Sequence, residues 1–224
     1  MELKNPLYKN QGIHVISSIF TVEKGVVKVL LVKRKNEPYC GKWALPGGAL
    51  YNNEELVEGA TRELYEKTGL KDVELIRCNV FGAVNRSPLK RMIAISYLGV
   101  IDSLKVTILK ETMKTTDCDW VKLLDVPELA YDHNVILMDA VEQLKEKIIT
   151  SSILKTLFPT GFTIPEIQKC YESILGETYD RRNFRRKLLN LDLIEATNKT
   201  VQFEGKKPAN LYEFKIKNSK SALR

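Results

Sequence analysis

The sequence predicts an α/β protein in two parts: a three-layer α/β/α sandwich over residues 1–148 and a smaller winged helix-turn-helix unit over 149–224. Three observations carry this. Apolar runs rich in β-branched residues are interleaved with two amphipathic helices in the first part. Three helical segments and then a hairpin make up the second. The charge is also uneven: residues 151–224 hold 14 Lys and Arg against 8 Asp and Glu, net +6 of the chain's +7. Such an imbalance points to an anionic partner for the C-terminal third.

Residues 13–20 and 26–32 are apolar runs split by Glu23-Lys24-Gly25, which reads as two paired strands and a turn. Arg34 and Lys35 follow the second strand; Arg34 is a candidate phosphate contact, and Lys35 reads as solvated. The stretch from Trp43 to Leu70 organises the rest. Pro46-Gly47-Gly48 is a tight turn, since glycine reaches backbone angles closed to other residues. Leu56, Ala60, Leu64 and Thr68 then recur at helical spacing, and Gly69 stops the helix. Glu63 and Glu66, three apart, share a face of it. Neighbouring carboxylates repel unless a cation neutralises them, and Mg²⁺ selects carboxylate oxygens together with substrate phosphates.

Further strands are predicted at 73–80, 91–101 and 115–123, with a loop at 81–88 that contains Asn85-Arg86-Ser87-Pro88. Asp132 is the N-cap of a helix whose buried face is Ile136, Leu137, Ala140 and Leu144. His133, beside that cap, reads as structural rather than ligand-binding.

The last third opens with helical segments at 152–158 and 164–174, the second after the N-cap Thr163 with Pro165 in its first turn. A third helix spans 179–191. Phe184, Leu188 and Leu191 form its apolar stripe, Arg182, Arg185 and Arg186 the opposite side, with Arg181 near the edge and Lys187 adding charge. Such a face suits the major groove, where Arg pairs with guanine or phosphate. Two short strands flank Gly205-Lys206-Lys207-Pro208, a wing whose Lys206 and Lys207 are set to touch phosphates.

Cys40, Cys78, Cys118 and Cys170 are isolated, so neither a disulfide frame nor a zinc site is expected. No apolar run reaches transmembrane length, and the first residues lack the apolar core of a signal peptide. A cytoplasmic location without membrane contact is therefore expected.

The central stretch resembles the Nudix box, Gly-x5-Glu-x7-Arg-Glu-U-x-Glu-Glu-x-Gly-U with U aliphatic. Gly48, Glu54, Arg62, Glu63, Leu64, Glu66, Gly69 and Leu70 match it at the family's spacing, and Lys67 stands where the family has the second Glu of its pair. The resemblance implies the Nudix sandwich over about residues 10–147. It also implies a ligand pocket beside Arg34, Pro46, Gly47, Gly48, Glu63, Glu66 and Arg86. In the family's hydrolases the missing Glu is a principal metal ligand. The set Glu63, Glu66, Lys67 is thus degenerate, and neither catalytic residues nor a resident metal are expected. Residual Mg²⁺ at Glu63 and Glu66 stays open. Lys67 lies four residues after Glu63, where an ion pair can stand in for the metal.

Taken with residues 179–189 and 205–214, the chain resembles the Nudix-related transcriptional regulators, the NrtR-like family. Relatives sense ADP-ribose and a branch senses sugars such as arabinose; Asn85-Arg86-Ser87-Pro88 departs from the Asp-Arg-Asp-Pro often found in that loop, which leaves the effector open between them. The expected function is a ligand-responsive repressor that binds palindromic operator DNA as a homodimer. The alternative is an active Nudix pyrophosphatase acting on a nucleoside diphosphate derivative, with a basic tail that holds nucleic acid.

Overall fold

The computed structural model describes residues 11–150, 153–202 and 208–215. Its spine is strand β1 (Gly12–Glu23), buried without a break from Val15 to Val22. Side chains alternate between faces, as the two-residue period of a strand dictates: Ile16, Phe20 and Val22 enter one core cluster, Val15 and Ile19 the others. The remaining strands are β2 (Val26–Arg34), β3 (Trp43–Ala44), β4 (Gly47–Ala49), β5 (Leu75–Phe81), β6 (Met92–Val100) and β7 (Thr115–Lys122). One edge of β1 pairs in parallel with β6, and β5 lies antiparallel outside it. The other edge is divided. Phe20–Glu23 pair with β2, whereas His14–Ile16 pair with β4. β2 carries β7 along its far side and β3 near its end. Beyond the Phe20–Val29 pair, β1 and β2 therefore part, and the segment from Trp43 to Ala49 wedges between them. That opening is the cleft described below.

Helix α1 (Leu56–Thr68) covers one face of the sheet and buries Ala60 and Leu64. It starts at Leu56, the first residue of the apolar spacing, and Glu54 is engaged just outside it, where its carboxylate accepts from the Tyr51 amide at 2.6 Å. Gly69 ends it at φ 77°, with its amide donating to Tyr65 O. Helix α2 (His133–Thr150) covers the other face through Ile136, Leu137, Ala140 and Leu144. The expected junction at residue 148 falls in its last turn.

The winged-helix part comprises α3 (Ile153–Leu157), α4 (Ile164–Leu175), α5 (Arg181–Asn190), β8 (Ile194–Val201) and β9 (Ala209–Phe214). Thr163 caps α4; its own amide donates to Glu166 at 2.8 Å, and Gly176 terminates the helix at φ 71°. Asp180 caps α5 by accepting from the Asn183 amide at 2.9 Å. β8 joins the two expected short strands of the first arm into one, from Ile194 to Val201. Its register shifts between Ala196 and Thr200, where Asn198 takes φ 61°. The hairpin is tied back by the reciprocal backbone bonds of Phe162 and Tyr212, at 2.9 and 2.8 Å. Leu191 departs from its expected place in the buried stripe. It follows the last turn of α5 and is 61 % exposed. Lys206 and Lys207, the expected wing-tip contacts, lie outside the described residues.

The two parts share a core. Val22, Val27 and Val29 of the β1–β2 hairpin belong to the same cluster as Ile167, Cys170 and Ile174 of α4. The turn must be glycine here. Gly25 adopts φ +76°, and a Cβ would sit 2.9 Å from both Glu166 O and Lys169 Cβ. The Val27 amide donates to Ser173 Oγ at 3.3 Å across the same seam. Among the described residues no helix is long and apolar enough to cross a membrane.

Candidate functional site

The cleft between β1 and β2 encloses a cavity of about 420 Å³, within the range of small-molecule sites. Its wall includes Arg34 at the end of β2, Gly47 and Gly48 of β4, Glu63 and Lys67 of α1, and His133. Pro46, Glu66 and Arg86, expected at the pocket, do not line it. Pro46 holds the wedge through its carbonyl, which accepts from the Ser17 amide at 2.8 Å. Arg86 is buried and forked onto Asp132, with Nε and Nη2 at 2.9 and 2.8 Å from the two carboxylate oxygens. That clamp fixes the 81–88 loop to the start of α2. Glu66 is held within the ion network of α1 by Arg62 and Lys114.

That network decides the chemistry. Arg62 forks onto Glu54 at 2.6 and 2.8 Å, donates to Glu63 at 2.6 Å, and lies 3.4 Å from Glu66. Lys67 donates to Gly47 O and its ammonium is 3.7 Å from Glu63 Oε2, the ion pair expected from the four-residue spacing. A second lysine completes the set. Lys114, in the loop before β7, bonds Glu63 Oε1 at 3.0 Å and also Glu66 Oε2. Gly48 must lack a side chain, since a Cβ there would be 2.3 Å from the Glu63 carboxyl carbon.

Glu63 is 3 % exposed. Burial pushes its pKa up, but Lys67, Arg62 and Lys114 outweigh burial and hold it below the ordinary carboxylate value. Arg62 likewise holds Glu54 at about 2. Lys67 is pulled down to about 8, mainly by burial, with Arg34 and Lys114 adding repulsion and Glu63 opposing.

Residual Mg²⁺ at Glu63 and Glu66, left open by the sequence, does not fit the residues present. Three cations already balance three carboxylates, and Lys114 bridges the two that a metal would need. Among the described residues no group of three or more His, Cys, Asp or Glu is arranged to hold a metal ion. The sequence pointed to Lys67 but not to Lys114. Lys114 lies 48 residues from Glu66, beyond any local spacing rule.

His133 serves the turn. Its Nδ1 accepts from the Leu45 amide at 3.0 Å, which requires the neutral ring with the proton on Nε2. Burial, then the charges of Lys67 and Arg86, depress its pKa to about 3; burial and Arg86 bring His14, across the cavity, to about 4. Both rings stay neutral in the folded protein, whereas in the unfolded chain they take protons below their ordinary value of 6.5. Protons thus favour unfolding, and stability is expected to fall as pH drops from about 6.5 toward 3–4. The loss from His133 alone should be about 2 kcal/mol at pH 5. Urea midpoints at pH 7.5 and 5.0 check this, and His133→Gln, which can still accept from Leu45, should lose less between the two pH values than the parent chain.

The second candidate surface is α5. Arg181, Arg182, Arg185, Arg186 and Lys187 are all exposed, while Leu188 is buried. Arg181 and Arg185 line a cleft of about 310 Å³ with Ile164 and Pro165 of α4 and Ala209 and Asn210 of β9. Arg186 is held by Asn183 Oδ1 at 2.9 Å.

Comparison with known proteins agrees with both halves. Residues 13–140 match the NUDIX domain, and residues 155–214 match the NrtR DNA-binding winged helix domain. Over 215 residues the chain is 31 % identical to the ADPR responsive transcriptional repressor NtrR of Acinetobacter baylyi, covering 94 % of this chain and 85 % of that protein. Shewanella oneidensis NrtR complexed with a 27mer DNA is similar in structure, with TM-score 0.70 and 29 % identity over 91 % of this chain and 93 % of that one. The NUDIX domain of the same NrtR, complexed with ADP ribose, gives TM-score 0.58 and 29 % identity over 62 % of this chain and 93 % of that one. The two matched domains and the identity over nearly the whole chain show that the chain belongs to the NrtR family of transcriptional regulators, a Nudix domain followed by a winged helix that binds DNA.

Proposed function

We propose that the chain is a repressor that binds operator DNA through α5 and responds to ADP-ribose held in the cleft between β1 and β2. The observation that carries this reading is the exposed guanidinium face of α5 on a winged-helix frame whose α4 packs against the hairpin of the sensing domain. The cleft favours a phosphate-bearing effector over a free sugar, because Arg34, Lys67 and Lys114 all face it. It disfavours hydrolysis, because Lys114 and Lys67 hold the carboxylates on which the family's metal would sit.

One winged helix covers only a short half-site. Two copies place their reading helices about one DNA turn apart, roughly 34–36 Å, or a multiple of it. The reading therefore includes a homodimer on an inverted repeat. Gel shifts with inverted-repeat DNA from the chain's own promoter region, with and without ADP-ribose, test it. Specific binding that changes with ADP-ribose is expected, at a mass by light scattering of two chains. Absence of sequence-specific binding, or rapid Mg²⁺-dependent cleavage of ADP-ribose, would replace this reading with the pyrophosphatase one.

A further inference from the structure

We propose that Lys67 and Lys114 take over the binding role of a divalent cation, so that the diphosphate of the effector is gripped by the two ammonium groups directly and without metal. The inference rests on the effector reading above and goes further, because it names the groups that recognise the ligand and the condition under which they do so.

The first support is charge. The cluster of Glu54, Glu63 and Glu66 is neutralised by Arg62, Lys67 and Lys114. A divalent cation would have to displace Lys114 from both carboxylates it bridges, and would leave a local excess of positive charge next to the buried Lys67.

The second is the count of donors. An ammonium group has three N–H bonds. Lys114 directs two at Glu63 and Glu66. Lys67 directs one at Gly47 O and leans toward Glu63 Oε2. Each ammonium keeps a donor for the cavity that both line. A third cation faces them from the end of β2. The Arg34 guanidinium donates from Nε to Pro38 O at 2.9 Å and from Nη2 to Asn36 O at 3.3 Å, which leaves Nη1 free of those bonds. It also lies over the Tyr131 ring at 5.0 Å, which holds its plane.

The third is the medium. Ile16, Val32 and Leu45 make part of the wall apolar. In such a site a charge-assisted hydrogen bond to an oxyanion is stronger than in water. A diphosphate diester carries two negative charges; with the glutamate cluster already balanced, Arg34 adds a further positive charge and the two ammonium groups add N–H donors. Because Lys114 occupies both carboxylates that would hold a hydrolytic metal, the arrangement favours holding the ligand over cleaving it.

Calorimetry with ADP-ribose, in a chelating buffer and in millimolar Mg²⁺, tests the proposal on the full chain. Equal affinity in the two buffers is expected. Lys114→Gln should bind about ten- to a hundredfold more weakly in chelator, while Lys114→Arg, which keeps the charge, should retain most of the affinity. Because Lys114→Gln frees Glu66, its affinity should partly recover in Mg²⁺. A thermal melt confirms that each variant is folded. Binding by the parent chain only in Mg²⁺, or undiminished binding by Lys114→Gln in chelator, would overturn the proposal. If ADP-ribose binds in neither buffer, the effector reading fails, and inorganic pyrophosphate in chelator decides the lysine pair. Binding that Lys114→Gln loses would uphold the pair, and absence of binding would end it.

Discussion

Replacing Arg182 by alanine is expected to weaken operator binding by about 1–3 kcal/mol and to relax specificity at one base pair. The geometry of α5 separates its arginines into two groups. Residues advance about 100° each around a helix. Measured from the buried Leu188, Arg186 therefore points nearly to the opposite side, with Arg182 beside it. Arg181 and Arg185 instead flank the buried stripe and line the cleft toward α4 and β9. The outward pair is the one that can reach base edges in a major groove. Asn183 holds the Arg186 guanidinium through its Oδ1. The inward pair suits the phosphate backbone, so Arg181→Ala should weaken all sequences alike and lower the salt dependence by about one unit of slope. Gel shifts over a salt series, on the parent operator and on single-base variants, separate the two outcomes. Parent-like binding by Arg182→Ala would remove α5 as the reader.

The largest loss of stability is expected at Arg86. Its side chain and that of Asp132 are 3 % and 19 % exposed, and the guanidinium fork joins two segments 46 residues apart. Removing one partner of a buried pair leaves the other charge without compensation, which costs about 3–5 kcal/mol. Arg86→Ala should lower the urea midpoint accordingly. The double variant with Asp132→Ala should lose less than the sum of the two single losses. Arg86→Lys should recover only part, because a lysine cannot supply the fork. An unchanged midpoint in Arg86→Ala would show that the clamp contributes nothing.

Local patterns in the sequence carried most of the fold. Periodicity, caps and turn glycines set α1, α4 and α5 to within a few residues, and Gly69 and Gly176 end their helices as their residue type requires. Lys67 was readable because the four-residue spacing to Glu63 is a property of the helix itself. Contacts between distant segments left no such mark. Lys114 meets Glu66 across 48 residues, and Val27 meets Ser173 across 146. The role of Arg86 was hidden for the same reason, since the Asp132 it clamps was legible only as a helix cap. The wedge between β1 and β2 was legible as the turn Pro46-Gly47-Gly48, but not as two short strands on different neighbours.

The shared core at Gly25 and α4 bears on turnover as well as signalling. A ligand that binds only the folded chain adds about 2.7 kcal/mol to its stability at a hundredfold excess over Kd. Because α4 is packed into the sheet's own hairpin, that increment reaches the DNA-reading helices along with the cleft. Proteases that act on the opened chain meet fewer opened copies when effector is plentiful. An effector bound in the cleft would thus lengthen the life of each copy of the regulator, in addition to changing what that copy does on DNA.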